Sequence, residues 1–193
     1  MITVLIVDHT PTRASALQEA LAAMAGIRVV CALDSPLELH ARVAEFRPDV
    51  VLIDTESPSR DVLEQLAVMN AAAPRPVVMF SDDAGDQPIR EAIRAGVSAY
   101  IVDGLAPGRL HPILRVAMER FDKEQRLRAE LEDTKEKLAS RKVIERAKGI
   151  LMKQRGISED EAFAMLREHA MARGLKLGDA AAKQVIDIAS LLG

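Results

Sequence analysis

The chain has 193 residues, a formal net charge of −3, 49% hydrophobic and 28% charged residues, which suits one large or two small globular domains with a packed core. Aromatic residues make up 3%, with one Tyr and no Trp, which argues against aromatic stacking platforms for single-stranded nucleic acid. No apolar run reaches the ~18 residues of a membrane span, no charged region precedes an apolar leader, and the lone Cys31 has no internal partner, so a cytoplasmic address with a buried thiol is expected.

Residues 1–7 read as a buried strand, because apolar residues continue without polar alternation as far as Asp8. Pro11 opens a helix with Leu17, Ala20, Leu21 and Met24 on one face, and Gly26 stops it. The unit then recurs: strand 27–33 with helix 36–46, strand 50–53 with helix 61–73, and strand 77–80 with helix 87–95. A fifth strand covers 99–102, and a further helix starts at Pro107. Such alternation predicts an α/β fold, a doubly wound parallel five-stranded sheet covered on both faces. Reactive groups in these sheets gather at the carboxyl ends of the strands. Those ends carry Asp8, Asp54, Ser81 and Asp103.

Four stretches, VLIVDH (4–9), PDVVLID followed by Pro58, PVVMFSD (76–82) and GVSAYIVDG (96–104), resemble the flavodoxin-like receiver domain of two-component response regulators. The resemblance covers about the first 120 residues and implies that Asp54 is the phosphoacceptor equivalent. It places Asp8 as the first of two acids and Ser81 as the hydroxyl. His9 stands where the second acid belongs, and Asp103 where a lysine belongs. Magnesium takes hard oxygen ligands and discriminates against imidazole. Asp103 would repel the negative charge of an acyl phosphate, and residues 1–120 contain no lysine to replace the missing one. A pseudo-receiver working without phosphorylation or metal is expected. The alternative is that Asp103 replaces the missing carboxylate and rebuilds a metal site. A charge-assisted bond from His9 to Asp54 or Asp103, locking the pocket, is a further expectation.

From Pro107 to about Gly156 the pattern is helical. Leu114, Met118 and Phe121 form a seam, followed by Leu127, Leu131 and Leu138, with Thr134 a polar seam position. Residues 121–140 therefore read as a coiled-coil linker forming a homodimer, with packing onto its own domain as the other outcome.

Residues 141–193 read as a small all-α three-helix domain. The first helix stops at Gly156. The second starts at Ser158, with Glu161 completing a capping box, and ends at Gly174; the third starts near Asp179. Ile144, Ile150, Leu151, Phe163, Leu166, Leu177, Val185 and Ile188 are the expected core. Residues 1–120 hold 11 bases and 16 acids, whereas 121–193 hold 15 bases and 13 acids, six of those bases within 141–155. A locally basic tail behind an acidic front suggests a polyanionic partner.

The stretch IERAKGILMKQRGISEDEAFAMLREHAMARGLKLGDAAAKQVI (144–186) resembles the ANTAR domain, an RNA-binding output module of some response regulators. Together with IDTESPSRDVLEQL (53–66) and SAYIVDGL (98–105), the whole chain is similar to nitrate-assimilation antiterminators of NasT type. That resemblance implies binding of leader RNA stem-loops, so that a terminator hairpin does not form and RNA polymerase reads on into nitrate or nitrite assimilation genes. It also implies a cytoplasmic nitrate- or nitrite-sensing partner protein, NasS-like, that restrains the chain until nitrate releases it. The expected RNA-binding residues are Arg146, Lys148, Lys153 and Arg167, joined by Lys176, with Ala147 as a close-approach position. With no aromatic expected on that surface, Arg guanidinium planes would have to stack on bases. Lys148→Ala is expected to weaken leader binding without changing thermal stability.

A DNA-binding response regulator is the main alternative, but the last helix lacks the basic, polar face that the major groove requires. A protein-interaction bundle is the other. An enzyme is not expected. No nucleophile–base signature or phosphate-cradling glycine loop is visible, and His40, His111 and His169 lack metal-ligand spacing.

Overall fold

The computed structural model describes residues 1–8, 11–102, 107–178 and 182–183. The chain forms two compact units, residues 1–125 and 126–193.

In the first unit β1 (Ile2–Asp8), β2 (Ile27–Leu33), β3 (Val50–Thr55), β4 (Val77–Ser81) and β5 (Ala99–Val102) make one sheet in the order β2-β1-β3-β4-β5. All four pairings are parallel. The connecting helices are α1 (Pro11–Ala22), α2 (Leu39–Phe46), α3 (Arg60–Ala72) and α4 (Asp86–Arg94), and α5 (Pro107–Arg155) follows β5. This is the doubly wound parallel sheet expected from the alternating pattern, in the flavodoxin-like strand order that the receiver resemblance implied.

Successive strand side chains point to opposite faces, so the central strands divide their apolar residues between two cores. Leu5, Val7, Val51, Ile53, Val77 and Met79 face Leu39 and Val43 of α2 and Val62, Leu66 and Met69 of α3. Val4, Ile6, Val50, Leu52, Val78 and Phe80 face Leu17 and Leu21 of α1 and Leu110, Leu114 and Ala117 of α5. Burial on both faces is why these strands read as unbroken apolar runs. Cys31 packs half-buried against the first core, and that burial pushes its thiol pKa up.

Several boundaries differ from the sequence pattern. Pro36 to Glu38 form a 3-10 turn ahead of α2, because the Ser35 hydroxyl accepts from Leu37 N and the Leu39 N–H bonds the Pro36 carbonyl. Strands β3 and β4 also run past their last apolar residue, since Asp54 pairs with Phe80 and Thr55 with Ser81 in the ladder.

The second unit contains the later part of α5 and α6 (Glu159–Ala172). The capping box is present. Ser158 Oγ accepts from the Glu161 N–H, and the Glu161 carboxylate accepts from the Ser158 N–H at 2.8 Å. Ala147, Leu151, Ala162, Leu166 and Ala182 form the core, with Val143, Ile144, Ile157 and Leu177 packed against it. Phe163 was expected in this core, yet it is 40% exposed. The inward face of α6 is taken instead by Ala162, Leu166 and Ala170, at steps of four. Ile150 is also absent from the core cluster. Of the expected third helix only Ala182 and Lys183 are described, and Val185 and Ile188 lie outside the described residues. Among the described residues no helix is long and apolar enough to cross a membrane.

Candidate functional site

Two places in the fold carry candidate chemistry, the carboxyl end of the sheet and the outer face of the tail. At the sheet, Asp8 at the end of β1 and Asp54, one residue before the end of β3, lie in direct register and are 3% and 6% exposed. The strand order reverses between β2-β1 and β3-β4-β5 at this point, where open parallel sheets leave a crevice. Ser81 ends the next strand, fully buried, and its hydroxyl donates to the Glu56 carbonyl at 3.0 Å while accepting from Asp83 N at 3.2 Å. Asp82 N bonds the same Glu56 carbonyl at 3.2 Å.

The loop after β4 is therefore tied to the loop after β3. Asp83 extends the tie: its carboxylate accepts from Gly85 N at 2.9 Å and Ser57 Oγ at 2.8 Å, and its carbonyl accepts from the Tyr100 hydroxyl at 2.8 Å. The Gly85 and Ser57 bonds hold the Asp83 carboxyl below the usual carboxylate range. His9 and Asp103 lie outside the described residues, and with them the His9 ion pair and the metal site rebuilt through Asp103. Among the described residues no group of three His, Cys, Asp or Glu side chains is placed to hold a metal ion.

The tail separates the predicted residues by helix face. Lys142, Arg146, Gly149 and Lys153 follow one another at steps of four, three and four along α5, and all four are exposed. Ala147 and Leu151 occupy the opposite side, in the core. Arg167 and Lys176 are exposed as well. Among the described residues Lys142, Arg146, Lys153, Arg167 and Lys176 make no ion pair.

The structure corrects two of the expected RNA contacts. Ala147 is fully buried against Ala162 and Leu166, so its small size serves helix packing and not close approach of a ligand. Lys148 is 7% exposed, and its ammonium sits 2.6 Å from Glu159 and 2.9 Å from Glu145. Bonds to Glu159 and then Glu145 raise its pKa, and the Lys148 bond in turn lowers that of Glu159. Lys148 is a clasp between α5 and α6, its ammonium engaged by carboxylates on both sides.

Gly149, two residues beyond Ala147 along α5, is exposed. A Cβ built there meets nothing within 4 Å, so packing does not require the glycine, and the backbone lies bare between Arg146 and Lys153. Sequence reasoning passed over Lys142 as a contact, although its four-residue spacing to Arg146 was visible. The apolar period of Ala147 and Leu151 also fixes the inward side, and Lys148 borders it.

Known proteins agree with this division. Residues 4–115 match the response regulator receiver domain and residues 132–185 the ANTAR domain. The transcriptional regulatory protein PdtaR of Mycobacterium tuberculosis is 31% identical over 136 residues, which is 70% of this chain and 63% of that protein, so the chain spans somewhat under two thirds of this relative's length. A protein-glutamate methylesterase/protein-glutamine glutaminase of Hahella chejuensis is 33% identical over 102 residues, 52% of this chain but 28% of that enzyme, and only its receiver part is shared. Among solved structures, the response regulator domain of Thermotoga maritima CheB superposes with a TM-score of 0.55 and 26% identity, covering 62% of this chain and 97% of that one. With its sheet, its strand-end acids and both domain matches in agreement, the chain belongs to the response regulators, as a receiver domain followed by an ANTAR domain.

Proposed function

We propose that this response regulator is a transcription antiterminator that grips stem-loops in leader RNA with its tail. The observation that carries the reading is the exposed line Lys142, Arg146 and Lys153, three cations without ion pairs among the described residues, set around a bare backbone at Gly149. Cations in a line suit a phosphate backbone, and a glycine between them lets that backbone come close. The regulatory role of PdtaR, stated in its name, is consistent with this. The nitrate and nitrite assimilation genes, the NasS-like sensor partner and the indirect action on RNA polymerase rest on the NasT-type resemblance of residues 53–66 and 98–105. Control by docking of that partner, in place of phosphorylation of Asp54, follows from the His9 and Asp103 exchanges.

The α5 residues Leu127, Leu131 and Leu138 are 53–55% exposed at heptad-related positions, which supports the homodimer through the linker. The direct test is a gel shift with the transcript leader against a duplex DNA of matched length. Retention of the leader at physiological salt with no DNA shift is expected. Tight DNA binding without leader binding overturns the reading.

A further inference from the structure

Phe163 is the one aromatic residue of the tail's 126–193, and it is not spent on the core. It lies 40% exposed on α6, where it lines an open cavity of about 410 Å³ together with Ser140, Arg141 and Ile144 of α5 and Lys176. A half-exposed aromatic costs burial energy that a core position would have returned. The inward face of the same helix is filled by Ala162, Leu166 and Ala170.

The charges around the cavity are sorted. Asp133 is paired with Lys137 at 2.7 Å, and Glu145 is held by Lys148 at 2.9 Å. Arg141 and Lys176 line the cavity, are exposed and make no ion pair among the described residues. Glu136 is the remaining carboxylate on its wall. Gly178 is buried so tightly on α5 that an added Cβ would fall 1.5 Å from Ser140 Oγ. One apolar ring, two available cations and one acceptor match neither a bare phosphate nor an aliphatic side chain. They match a nucleobase: a flat π face for the ring, positive charge for its flanking phosphates, and a carboxylate for an amino group on its edge.

We infer that Phe163 is a stacking platform that captures one unpaired base from the loop of the bound RNA, with Arg141 and Lys176 holding the adjoining phosphates. The inference rests on the RNA-binding reading and deepens it. The cation line on α5 grips the backbone without regard to sequence, and the Phe163 cavity distinguishes a loop from a plain duplex. It also replaces the expectation that guanidinium planes alone would stack on bases.

The test uses the full chain and a fluorescent hairpin pool with a fixed stem and a short randomised loop, beside a loopless duplex of the same stem. Phe163→Leu keeps an apolar side chain at a half-exposed site, and Phe163→Tyr keeps the ring. The leucine variant is expected to bind the hairpin pool roughly 5- to 100-fold more weakly, with the tyrosine variant within about twofold of wild type. Binding to the loopless duplex is expected to be weak and equal for all three. A second readout is independent of variant stability: a 2-aminopurine in the loop of a selected hairpin changes its fluorescence when it stacks on the wild-type ring. If Phe163→Leu binds hairpins as wild type does while Arg146→Ala weakens them, the platform is overturned and the RNA reading stands. If wild type does not prefer hairpins to the loopless duplex, the RNA reading itself falls. Unchanged hairpin binding with loss of a protein partner would assign the cavity to that partner and overturn the inference.

Discussion

Replacing Lys148 with alanine leaves Glu159 and Glu145 beside the tail core without their shared cation. Like charges then face each other, and the link between α5 and α6 is lost. A lowered Tm is therefore expected for Lys148→Ala, and any loss of RNA binding should follow from unfolding. The pH dependence has a defined sign. The Lys148 pKa is raised, so its contribution is complete below the ordinary lysine value of about 10.4 and is lost as pH rises through the raised one. The Glu159 pKa is lowered, so its contribution is present above about 4.3 and is lost as pH falls through the lowered value. Thermal melts of wild type and variant should differ at neutral pH and converge in acid. A constant gap down to pH ~2 would show that the clasp is not the cause. Gly149→Ala should behave in the opposite way. Its Cβ meets no neighbour, so the helix should gain about 1 kcal/mol while hairpin affinity falls. Neighbouring residues with opposite roles were hard to separate in the sequence, because a run of six bases does not show which of them face inward. The face follows only when the apolar period is carried through Ala147 and Leu151.

At the level of elements, the strands were legible because burial on both faces makes each an unbroken apolar run, and α6 because its capping box is written in Ser158 and Glu161. The limits of β3 and β4 were less legible, since Asp54 and Ser81 extend a ladder whose hydrogen bonds ignore side-chain polarity. Phe163 was misplaced for a related reason. Periodicity admits Phe163 or its neighbour Ala162 to the inward face, and packing onto Ala147 selects the smaller. Two elements make specific predictions. Ser158→Ala removes the acceptor for the Glu161 N–H and should cost about 1 kcal/mol, read as a lower denaturation midpoint. The exposed Leu127, Leu131 and Leu138 seam predicts a dimer in sedimentation, and Leu131→Glu should convert it to a monomer by placing like charges across the interface. A wild-type monomer mass at all concentrations would assign those leucines to another contact.

For the whole molecule, the question is how the receiver domain would govern an ANTAR tail proposed to grip RNA. Covalent control needs a metal set to deliver the phosphoryl group and a cation to neutralise it. Among the described residues Asp8 and Asp54 are the buried carboxylates at the strand ends, while the sequence carries His9 and Asp103 where an acid and a lysine would stand. The hydroxyl of Ser81 is engaged with the Glu56 carbonyl and Asp83 N, so the loops after β3 and β4 are already joined without a phosphoryl group. Acetyl phosphate with magnesium should therefore leave hairpin affinity within about twofold, a change too small to count as coupling between sites. Asp54→Asn should bind hairpins as the native chain does. Affinity should respond instead to salt. Each of the Arg146 and Lys153 contacts to phosphate contributes close to one unit to the slope of log K against log salt, so Arg146→Ala and Lys153→Ala should each flatten it by about 1. A large response to acetyl phosphate that Asp54→Asn abolishes would restore covalent control. An unaltered salt slope in both tail variants would move the RNA grip off this face of α5.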